Sequence, residues 1–144
     1  MTVQQALGDI IGVPIPSASG LQLSMRYWRA YTFITFEDDG STILTLTESQ
    51  DASATGEQNL AVITKVHKGP GVGGTWTEVT QTAANTYDLA DDTTNDAVVL
   101  TVWGSQLSDG FSHVECTVDG GICMAFLHDP LRRRDAANLR STLA

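Results

Sequence analysis

Along most of this chain apolar residues recur at every second position over short stretches, and glycine, proline or aspartate separates one stretch from the next. A period of two is the signature of strands that turn one face inward. "YWRAYTFITFEDDG" (27–40) is rich in aromatic and β-branched residues and stops at an Asp-Asp-Gly turn. "STILTLTES" (41–49) alternates, with Ile43 or Leu44 and then Leu46 separated by threonines. "NLAVITKVH" (59–67) ends at "KGPGVGG", a loop too rich in glycine to belong to either neighbour. In "TWTEVTQ" (75–81) Trp76, Glu78 and Thr80 point one way, and Thr77, Val79 and Gln81 the other. A short "NTYDL" follows, and "DAVVLTVWG" (96–104) is the most apolar run, which predicts a central strand with Trp103 in the core. "FSHVECTV" and "GICMAFLH" flank Asp119-Gly120-Gly121, which reads as a hairpin turn.

The two ends of the chain read differently. In residues 1–20 a weak helical pattern, "VQQALGDII", is followed by "GVPIPSASG", whose prolines favour extended backbone. This is an arm that needs a partner surface to become ordered. It is expected to be disordered in the free monomer, and Ile10, Ile11, Val13 and Ile15 are expected to be buried against a neighbouring subunit on assembly. At the other end "LRRRDAANLRSTL" predicts a short helix, capped by Asp129, with Pro130 in its first turn and a partial stripe of Leu131, Leu139 and Leu143. The prediction is therefore an all-β chain: an arm (1–20), then a single β-sandwich or jelly-roll-like domain (21–144) of about seven or eight strands with a short C-terminal helix.

Composition agrees with this. The 144 residues include 13 Gly and 4 Pro, and 42% are hydrophobic, enough for one domain with a core. No apolar run approaches the ~20 residues of a membrane helix, and the N-terminus lacks the basic start of a signal peptide. The chain is expected to be made in a cytoplasm. A formal net charge of −9 argues against a nucleic-acid partner. Its distribution is uneven: Arg132, Arg133, Arg134 and Arg140 are half of the 8 basic residues, whereas acids concentrate at 37–39 and 88–96. The arginines of the tail can add salt-sensitive attraction to an acidic protein surface, or they can be the solvated side of a surface helix.

Candidate chemistry is sparse. "LSDGFSHV" (107–114) holds Ser108, Asp109 and His113, the residue types of a hydrolase triad. No G-x-S-x-G elbow accompanies them, and Asp109-Gly110 fits a reverse turn better. His113, Cys116, Cys123 and His128 have a superficial zinc-like spacing, but separations of three and five put them on opposite faces of regular strands. Cys116 and Cys123 could face each other across a hairpin, with two reduced thiols as the default in a cytoplasm. The acids between Asp88 and Asp96 lack the alternating spacing of a calcium loop. No catalytic residue, metal or cofactor is predicted. Trp28, Trp76 and Trp103 remain as core residues or, if exposed, as a stacking or protein-binding platform.

Several of these stretches resemble a family of small tailed-bacteriophage virion proteins. The likeness runs over about residues 21–144, from "MRYWRAYTFITFEDDG" through "WTEVTQTAANTY" to "HDPLRRRDAANL", and is carried most clearly by "ESQDASATGEQNL" (48–60) and "LSDGFSHV". The cysteine pair and the triple arginine depart from that pattern. The resemblance implies a capsid decoration or minor capsid protein on the outside of a phage head, with the major capsid protein as partner and a homo-oligomer, a trimer, as the assembled form. Two alternatives stand beside it: a carbohydrate-binding β-module that stacks sugars on Trp28 or Trp76, and a structural protein of the tail or connector.

Overall fold

The structure is a computed structural model that describes residues 11–15, 21–37, 42–70, 74–89 and 97–131. Among the described residues eleven strands run in chain order: β1 (Ile11–Ile15), β2 (Leu23–Ser24), β3 (Trp28–Phe36), β4 (Ile43–Ser49), β5 (Gln58–Asn59), β6 (Ile63–Gly69), β7 (Thr77–Ala84), β8 (Thr86–Asp88), β9 (Ala97–Trp103), β10 (His113–Asp119) and β11 (Ile122–Pro130). A 3-10 turn at Gly104–Gln106 follows β9. They form two antiparallel sheets. One has the order β1-β11-β3-β9-β6-β7; the other has the order β2-β10-β4-β5, with β8 also on β4. Among the described residues no helix is long and apolar enough to cross a membrane.

The period of two in the sequence is what closes the sandwich. Tyr31, Phe33 and Thr35 of β3, Val98, Leu100 and Val102 of β9, and Cys123, Ala125 and Leu127 of β11 are buried from one sheet. Leu44 and Leu46 of β4 and Val114, Cys116 and Val118 of β10 are buried from the other. Each fully buried Leu or Phe contributes about 1.5–3 kcal/mol, so this layer is the main source of stability. Tyr31 keeps its phenol satisfied by donating to the Ser24 carbonyl at 2.8 Å, and burial pushes its ionisation far up. On the edge, β7 is mostly exposed, and Val79 and Gln81 are its more covered positions, as the alternation predicts. Gly69 lies under the Trp76 ring, where a Cβ would meet ring carbon at 2.8 Å, so the glycine lets the indole close over the strand.

Several expectations change. β10 and β11 are not a hairpin: β10 is bonded to β2 and β4, β11 to β1 and β3, and the chain crosses from one sheet to the other between Asp119 and Ile122. Gly120 and Gly121, at φ 90° and 73°, supply the left-handed backbone for that crossing. The expected helix start is also corrected. β11 runs through Pro130, which is paired with Trp28, and the Leu131 N–H continues the ladder to the Tyr27 carbonyl at 2.9 Å. The rest of the predicted helix, 132–144, lies outside the described residues. β6 starts at Ile63 and includes Gly69, so the strand expected over 59–67 is displaced towards its glycine-rich end. β9 is interior to its sheet as expected, but Trp103 is 46% exposed. It is in phase with Thr101 on the outward face, and the apolar run contained no signal for which face its last residue takes.

Candidate functional site

Two turn-bearing stretches, 48–60 and 107–114, meet at one end of the sandwich. In the first, Asp51 Oδ1 accepts the Ser53 and Thr55 N–H groups at 2.8 and 3.2 Å, and Gln50 N–H donates to the Thr55 carbonyl at 2.9 Å. These bonds from Thr55 and Ser53 hold the Asp51 carboxyl below its usual ionisation range. In the second, the Phe111 N–H closes a turn on the Ser108 carbonyl at 3.0 Å around Gly110 at φ 85°. This is the reverse turn that Asp109-Gly110 predicts.

Glu48 joins the two. It follows Leu44 and Leu46 on the inward face of β4, where alternation calls for an apolar residue, and it is 1% exposed. Its Oε2 accepts the Ser108 N–H at 2.8 Å and its Oε1 accepts Gln58 Nε2 at 2.7 Å. Ser112 adds a second tie: its N–H donates to the Ser49 carbonyl at 3.1 Å and its Oγ to the Gln50 carbonyl at 2.8 Å. Its carbonyl takes the Met25 N–H at 2.8 Å, and its Oγ takes Arg26 Nε at 3.2 Å. Segments some sixty residues apart in sequence thus become one rigid surface.

His113, next in the chain, is buried with Nδ1 2.9 Å from Ser112 Oγ, not on Ser108. Burial, then the nearby Arg26 charge, lowers its protonation range, with Asp51 opposing. A folded-state value below the unfolded 6.5 means the neutral ring's stabilisation is complete above about pH 6.5 and is lost as pH falls. Urea unfolding followed from pH 7.5 to 5 should therefore show stability falling by up to ~1 kcal/mol per pH unit below 6.5, and His113→Asn should flatten that slope.

Beside this surface opens a cleft of about 520 Å³. Its walls include Trp103, Phe111 and Leu131, with Trp28 at its base and Arg26 and Arg29 on its rim. Trp28 is 3% exposed, which removes it as a stacking platform; Trp103 at 46% and Trp76 at 48% are the open indoles. At the opposite end of the sandwich Phe36, Ile43 and Ile122 are exposed beside Glu37, Asp88 and Asp119. Arg26 and Arg29 are thus at the other end of the sandwich from these acids, whereas Lys68, paired with Val98, is on the acidic side.

The arm residues are placed in part. The backbone of Ile11, Val13 and Ile15 belongs to β1, paired with Leu127, Ala125 and Cys123 of the chain's own β11. Pro14 suits this position, since an edge strand tolerates a missing N–H. Ile10 and Arg132, Arg133 and Arg134 lie outside the described residues. The zinc-like set does not converge. His128 Nε2 is 2.6 Å from Thr32 Oγ1, whereas Cys116 and Cys123 face each other across the core with their sulfurs 3.8 Å apart. The Cys116 thiol donates towards Cys123, which lowers the second thiol, while burial pushes the first up.

Sequence reasoning missed Glu48, Arg26 and Arg29. Only Glu48 left a signal, a carboxylate in phase with two buried leucines. Compared with known protein families, with curated proteins and with solved structures, the chain matches none.

Proposed function

We propose that this chain is a structural virion protein, a capsid decoration protein that binds the outside of a tailed-phage head through the major capsid protein and acts as a trimer. The observation that supports this most is the joining of the two resemblance-bearing turns by Glu48. The resemblance thus maps onto a single built surface at one end of a β-sandwich and not onto scattered loops. A cement protein needs such a preorganised surface, because little ordering cost is then left for binding. Repeated weak contacts around a lattice add through avidity. The arm and the tail arginines supply further contacts in this reading.

Purified virions should contain the protein at a ratio approaching one copy per capsid subunit. A handful of copies per particle would instead indicate the tail or connector. Deleting residues 2–16 removes β1 and frees the β11 edge. The truncated protein should keep the circular dichroism of a folded β-domain but no longer remain on heads. Replacing Arg132, Arg133 and Arg134 together by Ala should lower the salt concentration at which it detaches. If the truncated protein decorates heads as well as the full chain, the arm plays no part in attachment.

A further inference from the structure

We propose that the cleft between Trp103 and Arg26 is a binding site for an acidic sugar, a pyranose ring that bears a carboxylate. This goes beyond capsid attachment and is decided on the isolated full-length protein. Three independent features point to such a ligand. First, the chain holds 17 acidic and 8 basic residues, yet among the described residues the walls of this cleft include two arginines and no acid. Outside the cleft, Lys65 Nζ pairs with Glu78 at 3.2 Å. Arg26 is held in place through Nε on Ser112, which leaves its other nitrogens to meet a carboxylate in the forked geometry that guanidinium favours.

Second, Trp103 is nearly half exposed on the cleft wall at the end of the most apolar strand. An open indole face is the surface on which the C–H side of a sugar ring stacks, and Phe111 and Leu131 widen the apolar wall. Third, Trp28 is 97% buried, since its exposure is 3%, and its Nε1–H has no hydrogen-bond partner. A buried donor without an acceptor is rare and costly. Trp28 is part of the cleft, but its Nε1 is sealed from solvent, so a ring hydroxyl or carboxylate oxygen takes that hydrogen bond only where the side chains over the indole shift aside on binding. Guanidinium for the acid, indole face for the ring and indole N–H for an oxygen together describe one uronate-type residue. The volume, about 520 Å³, is within the range of small-ligand sites. An acidic peptide would use the arginines but leave the indole face and the Trp28 donor unused.

The test is isothermal titration of the full chain with trigalacturonate, with neutral trigalactose and with hexaglutamate. Trigalacturonate should bind at least tenfold more tightly than either of the others, and its affinity should fall as salt rises. Trp103→Ala and the double variant Arg26→Gln/Arg29→Gln should each weaken it at least tenfold while keeping the wild-type circular dichroism and melting temperature. Trp76→Ala, outside the cleft, should leave it unchanged. Equal binding of trigalactose would remove the role of the arginines, and equal binding of hexaglutamate would make the cleft a site for acidic peptide; either would overturn the proposal. So would no binding of trigalacturonate, or undiminished binding by Trp103→Ala. None of these results bears on attachment to heads.

Discussion

Replacing Glu48 by alanine should destabilise the protein by about 2 kcal/mol, whereas Glu48→Gln should cost less than about 1 kcal/mol. The carboxylate accepts two hydrogen bonds at a buried position, one from a backbone N–H and one from a side-chain amide. Alanine leaves the Ser108 N–H without its acceptor and the Gln58 amide with only its longer bond to Ser108 Oγ at 3.3 Å, and the loss of a part-buried acceptor costs roughly 1–3 kcal/mol. Glutamine behaves differently because Gln58 can turn its own amide over. The amide introduced by Glu48→Gln would then accept from Ser108 and donate to the Gln58 oxygen, and both bonds persist. Urea unfolding midpoints of the two variants measure the difference. Equal losses in the two variants would show that Glu48 acts through shape or charge and not as a paired acceptor. Amide exchange should report the same event locally, with faster exchange at Ser108 and Phe111 in Glu48→Ala.

Oxidation should join Cys116 to Cys123 and raise stability by up to about 2.5 kcal/mol. The sulfurs are already 3.8 Å apart and each comes from a different sheet, so a bond between them would staple the two layers. Closing to the roughly 2.05 Å of a disulfide needs a small approach of the sheets beside the Gly120-Gly121 crossing, the most adaptable backbone nearby. The closed loop, residues 116 to 123, is short, which keeps the entropic gain at the modest end of the range. Both thiols are fully buried, so reaction with oxidised glutathione waits on local opening and should be slow at neutral pH. Intact mass should fall by two hydrogens, and melting temperature should rise by roughly 5–10 °C and return on reduction. A lower melting temperature in the oxidised form would mean that strain in the sandwich outweighs the gain. Cys123→Ser should abolish the shift altogether.

How much of this was legible beforehand differs from element to element. The residues of β3, β4, β7, β9, β10 and β11 follow from alternation, because burial on one face is written locally at every second position. The Asp109-Gly110 turn follows from backbone preference in the same local way. The C-terminal boundary did not: Asp129 and Pro130 suit a helix start, but Pro130 is equally suited to the end of a strand, and the ladder to Trp28 and Tyr27 decides between them. Trp103 was misplaced because one long apolar run does not say which residue of its last pair faces outward.

By itself, then, the sequence determined the class of the fold, most of its longer strands and the Asp109-Gly110 turn, since those depend on neighbours a few residues apart. Only the tertiary structure decided which strands lie side by side. Backbone hydrogen bonding is alike for every strand, so nothing local says that β10 and β11, joined by a glycine turn, belong to different sheets. That one choice turns the cysteines towards each other across the core. The same non-local packing brings Glu48 to Ser108 and gathers Arg26, Trp28 and Trp103 around a single cleft. A site built from residues so distant in the chain has no motif, because its geometry comes from the packing of the sheets and not from spacing along the sequence.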